Sequence, residues 1–283
     1  MTAKSSHSRG RGALSWVAAA VAAVLVPLSA TGAPPAAAEP VVVTFEDDFD
    51  GPAGGPVDGS KWRFETGDNV NNHERQWYTD GTDNAALDGN GNLVITAKKE
   101  NPGGYRCWYG PCEYTSARLS TARTHTQTYG RFEARIKMSH GQGMWPAFWM
   151  LGADIDQVGW PVSGEIDVVE NVGFEPATVH GTIHGPGYSG ADGIGAGYDI
   201  DGRFADDFHT FAVDWAPERV QWSVDGVVYS TKTPADVGGD RWVFDHDFYM
   251  ILNLAVGGHW PGDPDGSTRF PNTLVVDYVR VTV

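Results

Sequence analysis

The chain has 283 residues, 36 acidic against 20 basic side chains, and a formal net charge of −16 at pH 7. So acidic a surface repels nucleic acid and anionic membranes at physiological salt and disfavours sulfated polysaccharides, whereas a neutral substrate meets no such barrier. Aromatic residues make up 12% of the chain, and 11 tryptophans are many for this length even though some must be core.

Lys4, Arg9 and Arg11 open the chain, an apolar Ala- and Val-rich run follows from Ala13 to Leu28, and Ala33-Pro34-Pro35-Ala36-Ala37-Ala38 places small residues for cleavage. This three-part pattern predicts a secretory signal peptide over residues 1–38, and hence a secreted, extracellular protein. A membrane anchor is the alternative; the run is short for that and Pro27 interrupts it. No other stretch is long and apolar enough to span a bilayer, so no membrane partner is expected. The mature chain starts near Glu39, and losing three basic and no acidic residues moves its net charge from −16 to −19. Residues 39–283 can bury a sizeable core, as one large β domain or two small ones.

After residue 40 there is no long linker, repeat or low-complexity tract. Short segments rich in Val, Ile, Thr and aromatics alternate with Gly, Asn, Asp and Pro clusters, as strands and turns do. The first clear one is Leu93–Ala97. Next come Cys107 and Cys112, in Cys-Trp-Tyr-Gly-Pro-Cys. In a reducing cell such a pair suggests metal or redox chemistry; outside the cell a local disulfide is expected, and no further ligands at zinc spacing are seen. Gly130 to Met138 reads as a strand, and so does Trp145-Pro146-Ala147-Phe148-Trp149-Met150. There alternation puts Trp145, Ala147 and Trp149 on one face and Phe148 and Met150 on the other. The first face is a platform for the apolar side of a sugar ring or a second buried face.

Glu165-Ile166-Asp167-Val168-Val169-Glu170 is a β-branched run carrying three carboxylates. In a regular strand Glu165 and Asp167 share a face, but Glu170 points into the core with Ile166 and Val168, which is costly. One extra residue at Val168-Val169, a β-bulge, returns Glu170 to the acidic face. The Cα atoms of Glu165 and Glu170 are then roughly 13 Å apart. Two side chains leaning together can approach the carboxyl separation of about 5–5.5 Å that a retaining glycosidase needs. Asp167 between them can tune both. An edge strand decorated with charge, or a calcium site, would show the same acids, but the flanking valines argue for an internal strand.

Further on, His180, Thr182 and His184 share a face of one strand. Phe211–Trp215, with His209 just before it, and Val220–Val224 follow. Val224-Asp225-Gly226-Val227 sets Asp-Gly between apolar runs, a hairpin signal. Val275 to Val283 closes the chain as a strand, so no appended binding module is expected. No long amphipathic helix appears. Many short strands with regular turns predict an all-β antiparallel sandwich or barrel.

Gly164-Glu165-Ile166-Asp167-Val168-Val169-Glu170 resembles the active-site signature of glycoside hydrolase family 16 in its bulged form. Gln142–Leu151, Thr182-Ile183-His184-Gly185, Asn253–Gly258 with Trp260-Pro261-Gly262, and Val276–Val281 resemble other segments of that family in the same order. Together they are most similar to the bacterial laminarinases, endo-β-1,3-glucanases. The resemblance implies one catalytic domain over 39–283, a concanavalin A-like jelly-roll of two curved antiparallel sheets, and a concave cleft. It implies a monomer acting on laminarin-type β-glucan, with no cofactor for the chemistry. Agarases share the bulged motif, and mixed-linkage glucanases and xyloglucan transglycosylases have the shorter unbulged form. A β-glucan-binding protein on the same fold is the non-enzymatic alternative, but relatives of that kind have lost the carboxylates present here.

By the same resemblance Glu165 is the nucleophile and Glu170 the acid and base, an order that spacing alone leaves symmetric, and Asp167 holds Glu165 by a hydrogen bond. His184 stands in the cleft beside the acids; a bond to a backbone carbonyl is the alternative for it as a lone residue. Trp145, Trp149 and Trp260 are expected to stack on sugars. Asn71, Asn72 and Glu74, before Gln76-Trp77-Tyr78-Thr79, resemble a loop over the nonreducing side, which makes Asn72 a substrate contact; the family's usual Tyr-Tyr is Trp77-Tyr78 here. The resemblance also implies a structural calcium held by Glu46, the Gly91 carbonyl and Asp277, away from the cleft.

Overall fold

The computed structural model describes residues 40–283; the expected leader, 1–38, lies outside the described residues. The short apolar segments pair into two large antiparallel sheets. The eight-stranded sheet runs Val227–Lys232, Arg219–Val224, His209–Ala216, Gly130–Lys137, Asn272–Thr282, Leu93–Ala97, Ala85–Leu87, with Val43–Asp47 also paired to Asn272–Thr282. The seven-stranded sheet runs Ile194–Asp199, Thr178–His184, Glu165–Glu170, Met144–Gly152, Phe248–Val256, Arg118–Ser120, Arg63–Phe64. Helix among the described residues is confined to the single α turn Ile155–Val158 and two 3₁₀ turns, Gly190–Asp192 and Pro234–Val237. This is the all-β antiparallel sandwich that the strand and turn pattern predicts, with the two large sheets of the jelly-roll that the resemblance implies.

Alternation explains the packing. Phe132, Ala134 and Ile136 of one sheet are fully buried, while Arg131, Glu133 and Arg135 between them are not. Phe148, Met150, Ile166 and Leu252 of the other sheet are fully buried as well. Each large apolar side chain so placed contributes about 1.5–3 kcal/mol of burial. Trp62, Trp215 and Trp222 are core residues, and each buried indole finds an acceptor: Asp47 Oδ2 at 2.8 Å, Phe244 O at 3.1 Å and Asp167 O at 2.8 Å. The last bond matters most for the site, because Trp222 belongs to the eight-stranded sheet and Asp167 to the other.

The Asp225-Gly226 turn forms as predicted, with φ of 49° and 78°, the pair of left-handed conformations a type I′ hairpin requires. The Asp225 carboxylate accepts from Thr210 N at 2.8 Å and lies 2.7 Å from His209 Nδ1, so His209 does start its strand. Cys107 and Cys112 are disulfide-bonded, joining the two-residue strands Arg106–Cys107 and Gly110–Pro111. Trp77 stacks on Tyr105, ring centroids 5.1 Å apart and nearly parallel, instead of meeting the cleft.

The residues expected to hold calcium lie on the eight-stranded sheet and its flanking turn. Glu46 Oε1 accepts from Arg280 Nε at 2.7 Å, and Asp277 Oδ2 from Arg135 Nη1 at 2.6 Å, so each carboxylate already has a guanidinium partner. Gly91 sits in a left-handed turn, φ 82°, close to Asp48 O and Asp50 Oδ1.

Candidate active site

The acidic strand Glu165–Glu170 lies between Met144–Gly152 and Thr178–His184. Its register shows the bulge directly. Trp149 pairs with Asp167 while Phe148 pairs with Val169, and on the other side Thr182 pairs with Asp167 and His180 with Glu170. Val168 and Val169 are both buried in the core with Ile166. Two core-facing valines in succession are what the extra residue permits, and they return Glu170 to the face of Glu165 and Asp167. The Asp167 carbonyl at the start of the bulge receives Trp222 Nε1 from the opposite sheet. Gly181, across from the bulge, leaves room for that indole: a Cβ there would stand 2.3 Å from Trp222 Cδ1 and 2.4 Å from the Tyr229 hydroxyl. Gly164, φ 74°, turns the chain into the strand where a side chain would strike Phe248 and Val243.

The three carboxyls open into a cleft of about 560 Å³, shared with Trp145, Trp149 and Trp160. Trp145 Nε1 donates to Glu170 Oε1 at 2.9 Å, and Trp160 Nε1 to Glu165 Oε2 at 3.0 Å. His184 Nε2 lies 3.0 Å from Asp167 Oδ2 and 3.7 Å from Glu165 Oε1. The expected Asp167–Glu165 hydrogen bond is not formed; both acids instead face the same imidazole nitrogen, His184 Nε2. Burial pushes all three carboxyls up, each to about 8. For Glu165 and Glu170 the neighbouring Asp167 charge adds to burial, while His184 and one indole N–H each pull the other way. Three crowded carboxyls so raised cannot all ionise together, so the cluster titrates as one system in which one member keeps the proton a general acid needs while another ionises.

The sequence-predicted tryptophans divide. Trp145 and Trp149 line the cleft, on the face that alternation assigns to them. Trp149 is fixed by its N–H bond to Asn253 Oδ1, 2.7 Å, and by the Arg118 guanidinium 4.7 Å above its ring. Trp260 is outside the cavity lining and reaches it through Trp145, edge to face at 5.7 Å, with His180 edge-on at 5.0 Å. His180 itself is held by Glu175, 3.1 Å from Nε2. Asn72 lines the cleft, as do Asn69, Asn71 and Glu74. Trp160, Asn69 and Arg118 join the lining without having been expected there. Trp160 precedes Glu165 by five residues in a Trp-Pro turn, and that spacing beside the acidic strand is the one signal in the sequence that points to it.

Two glutamates flanking an aspartate on a bulged strand, with sugar-sized aromatic walls, define a carboxylate-dependent glycoside hydrolase built on a β-sandwich. Residues 72–280 match the model for "Glycosyl hydrolases family 16", and the chain belongs to that family. It is 41% identical to a beta-glucanase of Rhodothermus marinus over 253 residues, 84% of each chain. The catalytic domain of an endo-1,3-beta-glucanase (laminarinase) from Thermotoga petrophila RKU-1 superposes with a TM-score of 0.79 at 42% identity, covering 87% of this chain and 98% of that one. A non-specific endo-beta-1,3(4)-glucanase of family GH16, crystallised with a glucan oligosaccharide in its active site, gives 0.78 at 37% identity, covering 86% and 95%.

Proposed function

We propose that this protein is a secreted endo-acting hydrolase of β-1,3-glucan that works with retention of anomeric configuration. The observation that carries the mechanism is the pair of glutamates, each tied by one indole N–H and separated by Asp167, on one bulged strand in an open cleft. Glu165, in its ionised form, attacks the anomeric carbon; the bond to the departing sugar oxygen breaks as that oxygen takes the proton of Glu170. Water then attacks the same carbon, gives its proton to Glu170 and frees Glu165. The chemistry uses two carboxyls and water and requires no cofactor. Asp167 and His184 set the charge that the glutamates feel, and Trp145 and Trp149 provide flat apolar faces for glucosyl rings.

The acidic surface favours a neutral glucan, and the similarity to laminarinases favours the β-1,3 linkage over agarose. Laminarin, curdlan, lichenan and agarose assayed side by side give the ranking. Laminarin is cut fastest, with internal cleavage seen as a rapid loss of chain length. Equal or faster agarose cleavage overturns the substrate, and laminarin bound but never cut makes the protein a binding module.

Export follows from the leader at 1–38 and agrees with the disulfide, which persists in oxidising surroundings. The mass of protein recovered from the medium of an expressing host matches a start near Glu39; retention of residues 1–38 refutes the leader. Structural calcium is proposed from the family resemblance, with the crowded acids beside Gly91 in its favour. Burial, then Glu46, and further on Asp50 and Asp47, raise the Asp48 carboxyl beside Gly91, a repulsion that a divalent cation relieves. To ligate through Glu46 and Asp277, the ion must draw them from Arg280 and Arg135. Chelation lowers Tm and added calcium restores it; a Tm indifferent to both removes calcium from the protein.

A further inference from the structure

One buried carboxylate has no part in the bond-breaking chemistry. Glu74 is 3% exposed, and four side-chain donors converge on it. Asn69 Nδ2 at 2.7 Å and Asn72 Nδ2 at 3.2 Å reach Oε1; Gln76 Nε2 at 2.6 Å and the Tyr78 hydroxyl at 3.0 Å reach Oε2. None of these four partners is a cation. The backbone on either side is clamped by the disulfide loop: Trp108 Nε1 donates to Glu74 O at 2.8 Å and the Tyr109 hydroxyl to Arg75 O at 2.6 Å.

The donors have a direction. Tyr78, having donated to Glu74, accepts from Asn253 Nδ2 at 3.1 Å, and Asn253 Oδ1 accepts from Trp149 Nε1 at 2.7 Å. An indole can only donate, so the chain Trp149 to Asn253 to Tyr78 to Glu74 runs one way and ends on the charge. On the other oxygen, Asn69 and Asn72 commit their NH₂ groups to Glu74. Asn69 Oδ1 then accepts from Asn72 N at 3.4 Å, and Asn72 Oδ1 is left as an acceptor on a residue that lines the cleft.

We propose that Glu74 is a positioning residue that sets the hydrogen-bond polarity of the cleft, turning Asn72 to offer a carbonyl acceptor to a glucan hydroxyl and anchoring Trp149 for stacking. The ligand class is a neutral glucan chain in the part of the cleft lined by Asn69 and Asn72, so the inference rests on the glucanase reading and specifies one part of its site. Burial of an acceptor-only group under four donors is a costly arrangement for stability alone, since an apolar side chain of similar shape demands no partners.

Glu74→Gln keeps the shape and makes one terminal atom a donor. The indole end of the relay cannot reverse, so the conflict falls on the asparagines, and Asn72 turns its NH₂ to the cleft. Adding Asn72→Asp supplies an acceptor to the new Gln donor and restores an oxygen to the cleft, so the double variant recovers what the single one loses. The experiment measures kcat and KM on laminarin and laminarihexaose for wild type, Glu74→Gln, Asn72→Asp and the pair. Calorimetric binding of laminarihexaose is measured in the Glu170→Gln background, and Tm for every variant. Glu74→Gln raises KM and weakens binding about tenfold, the order of one lost hydrogen bond, with kcat changed less than about threefold. The pair returns to within about threefold of wild type. A purely structural role gives a lower Tm with KM and binding unchanged, or effects of the two substitutions that merely add; either overturns the assignment. Wild type inactive on every β-1,3-glucan would instead sink the glucanase reading, and the binding arm would still report on Glu74.

Discussion

Glu165→Ala loses at least about 10⁴-fold in kcat on laminarin, and azide restores turnover of an activated aryl glycoside with the α-glycosyl azide as product. Removing the nucleophile opens the side of the anomeric carbon away from the leaving group. A small anion enters there once, in a single displacement, and inverts the centre. Glu170→Ala leaves the nucleophile in place. The glycosyl-enzyme still forms from a good leaving group, and azide displaces Glu165 from it by a second inversion, so the product is the β-azide. Product configuration by NMR distinguishes the two. The opposite pairing of variants and azides exchanges the roles of Glu165 and Glu170. Inversion of the first-formed wild-type product removes the glycosyl-enzyme altogether. Both glutamates sit under an indole N–H and beside the same aspartate, so the experiment tests an order that local symmetry leaves undetermined.

Asp167→Asn makes the folded protein more stable at pH 8–9 while it lowers activity. Asp167 is 3% exposed, and burial raises its carboxyl from 3.8 to about 8. Between those values the folded chain holds a proton that the unfolded chain has released, so stability falls as pH rises through this window. Above about 8 the penalty is complete, and below about 4 both states are protonated and it vanishes. Asparagine removes the charge and keeps the backbone carbonyl that Trp222 holds. Thermal unfolding at pH 9 should show a gain of about 1–3 kcal/mol, roughly 2–4 °C for each kcal/mol in a domain of this size, shrinking to nothing at pH 4. A loss of stability at pH 9, or a gain independent of pH, refutes the account.

The bulge is legible in the amino-acid order alone because it resolves a conflict between two local rules, alternation and the cost of a buried glutamate. The shared face of Trp145, Ala147 and Trp149 follows from alternation, and the observed register agrees with it. Trp260 and Trp160 are different. Both lie in turns, where no period fixes direction, and their positions depend on packing against Trp145 and on the path into Gly164. The strand of His184 brings it near the acids, but its seat between Asp167 and Glu165 depends on rotamers that no spacing encodes. Glu74 reads in sequence as one member of a polar loop; four donors from positions 69 to 78 converge on it only once that loop is folded over Asn253. The arginine partners of Glu46 and Asp277 are hidden in the sequence because Arg280 and Arg135 come from strands that adjoin only in the assembled sheet.

The indole that crosses the sandwich from Trp222 to the Asp167 carbonyl links the catalytic motif to inheritance. The length of the acidic strand, the glycine at 181 and the tryptophan at 222 form one unit. A lineage that lost a valine from the bulge would shift the acceptor under the indole. One that gained a side chain at 181 would push the indole out. Shuffling of segments between related chains with breakpoints between residues 170 and 222 should thus yield misfit hybrids more often than breakpoints elsewhere. Changes at these three places are expected to arrive together or not at all.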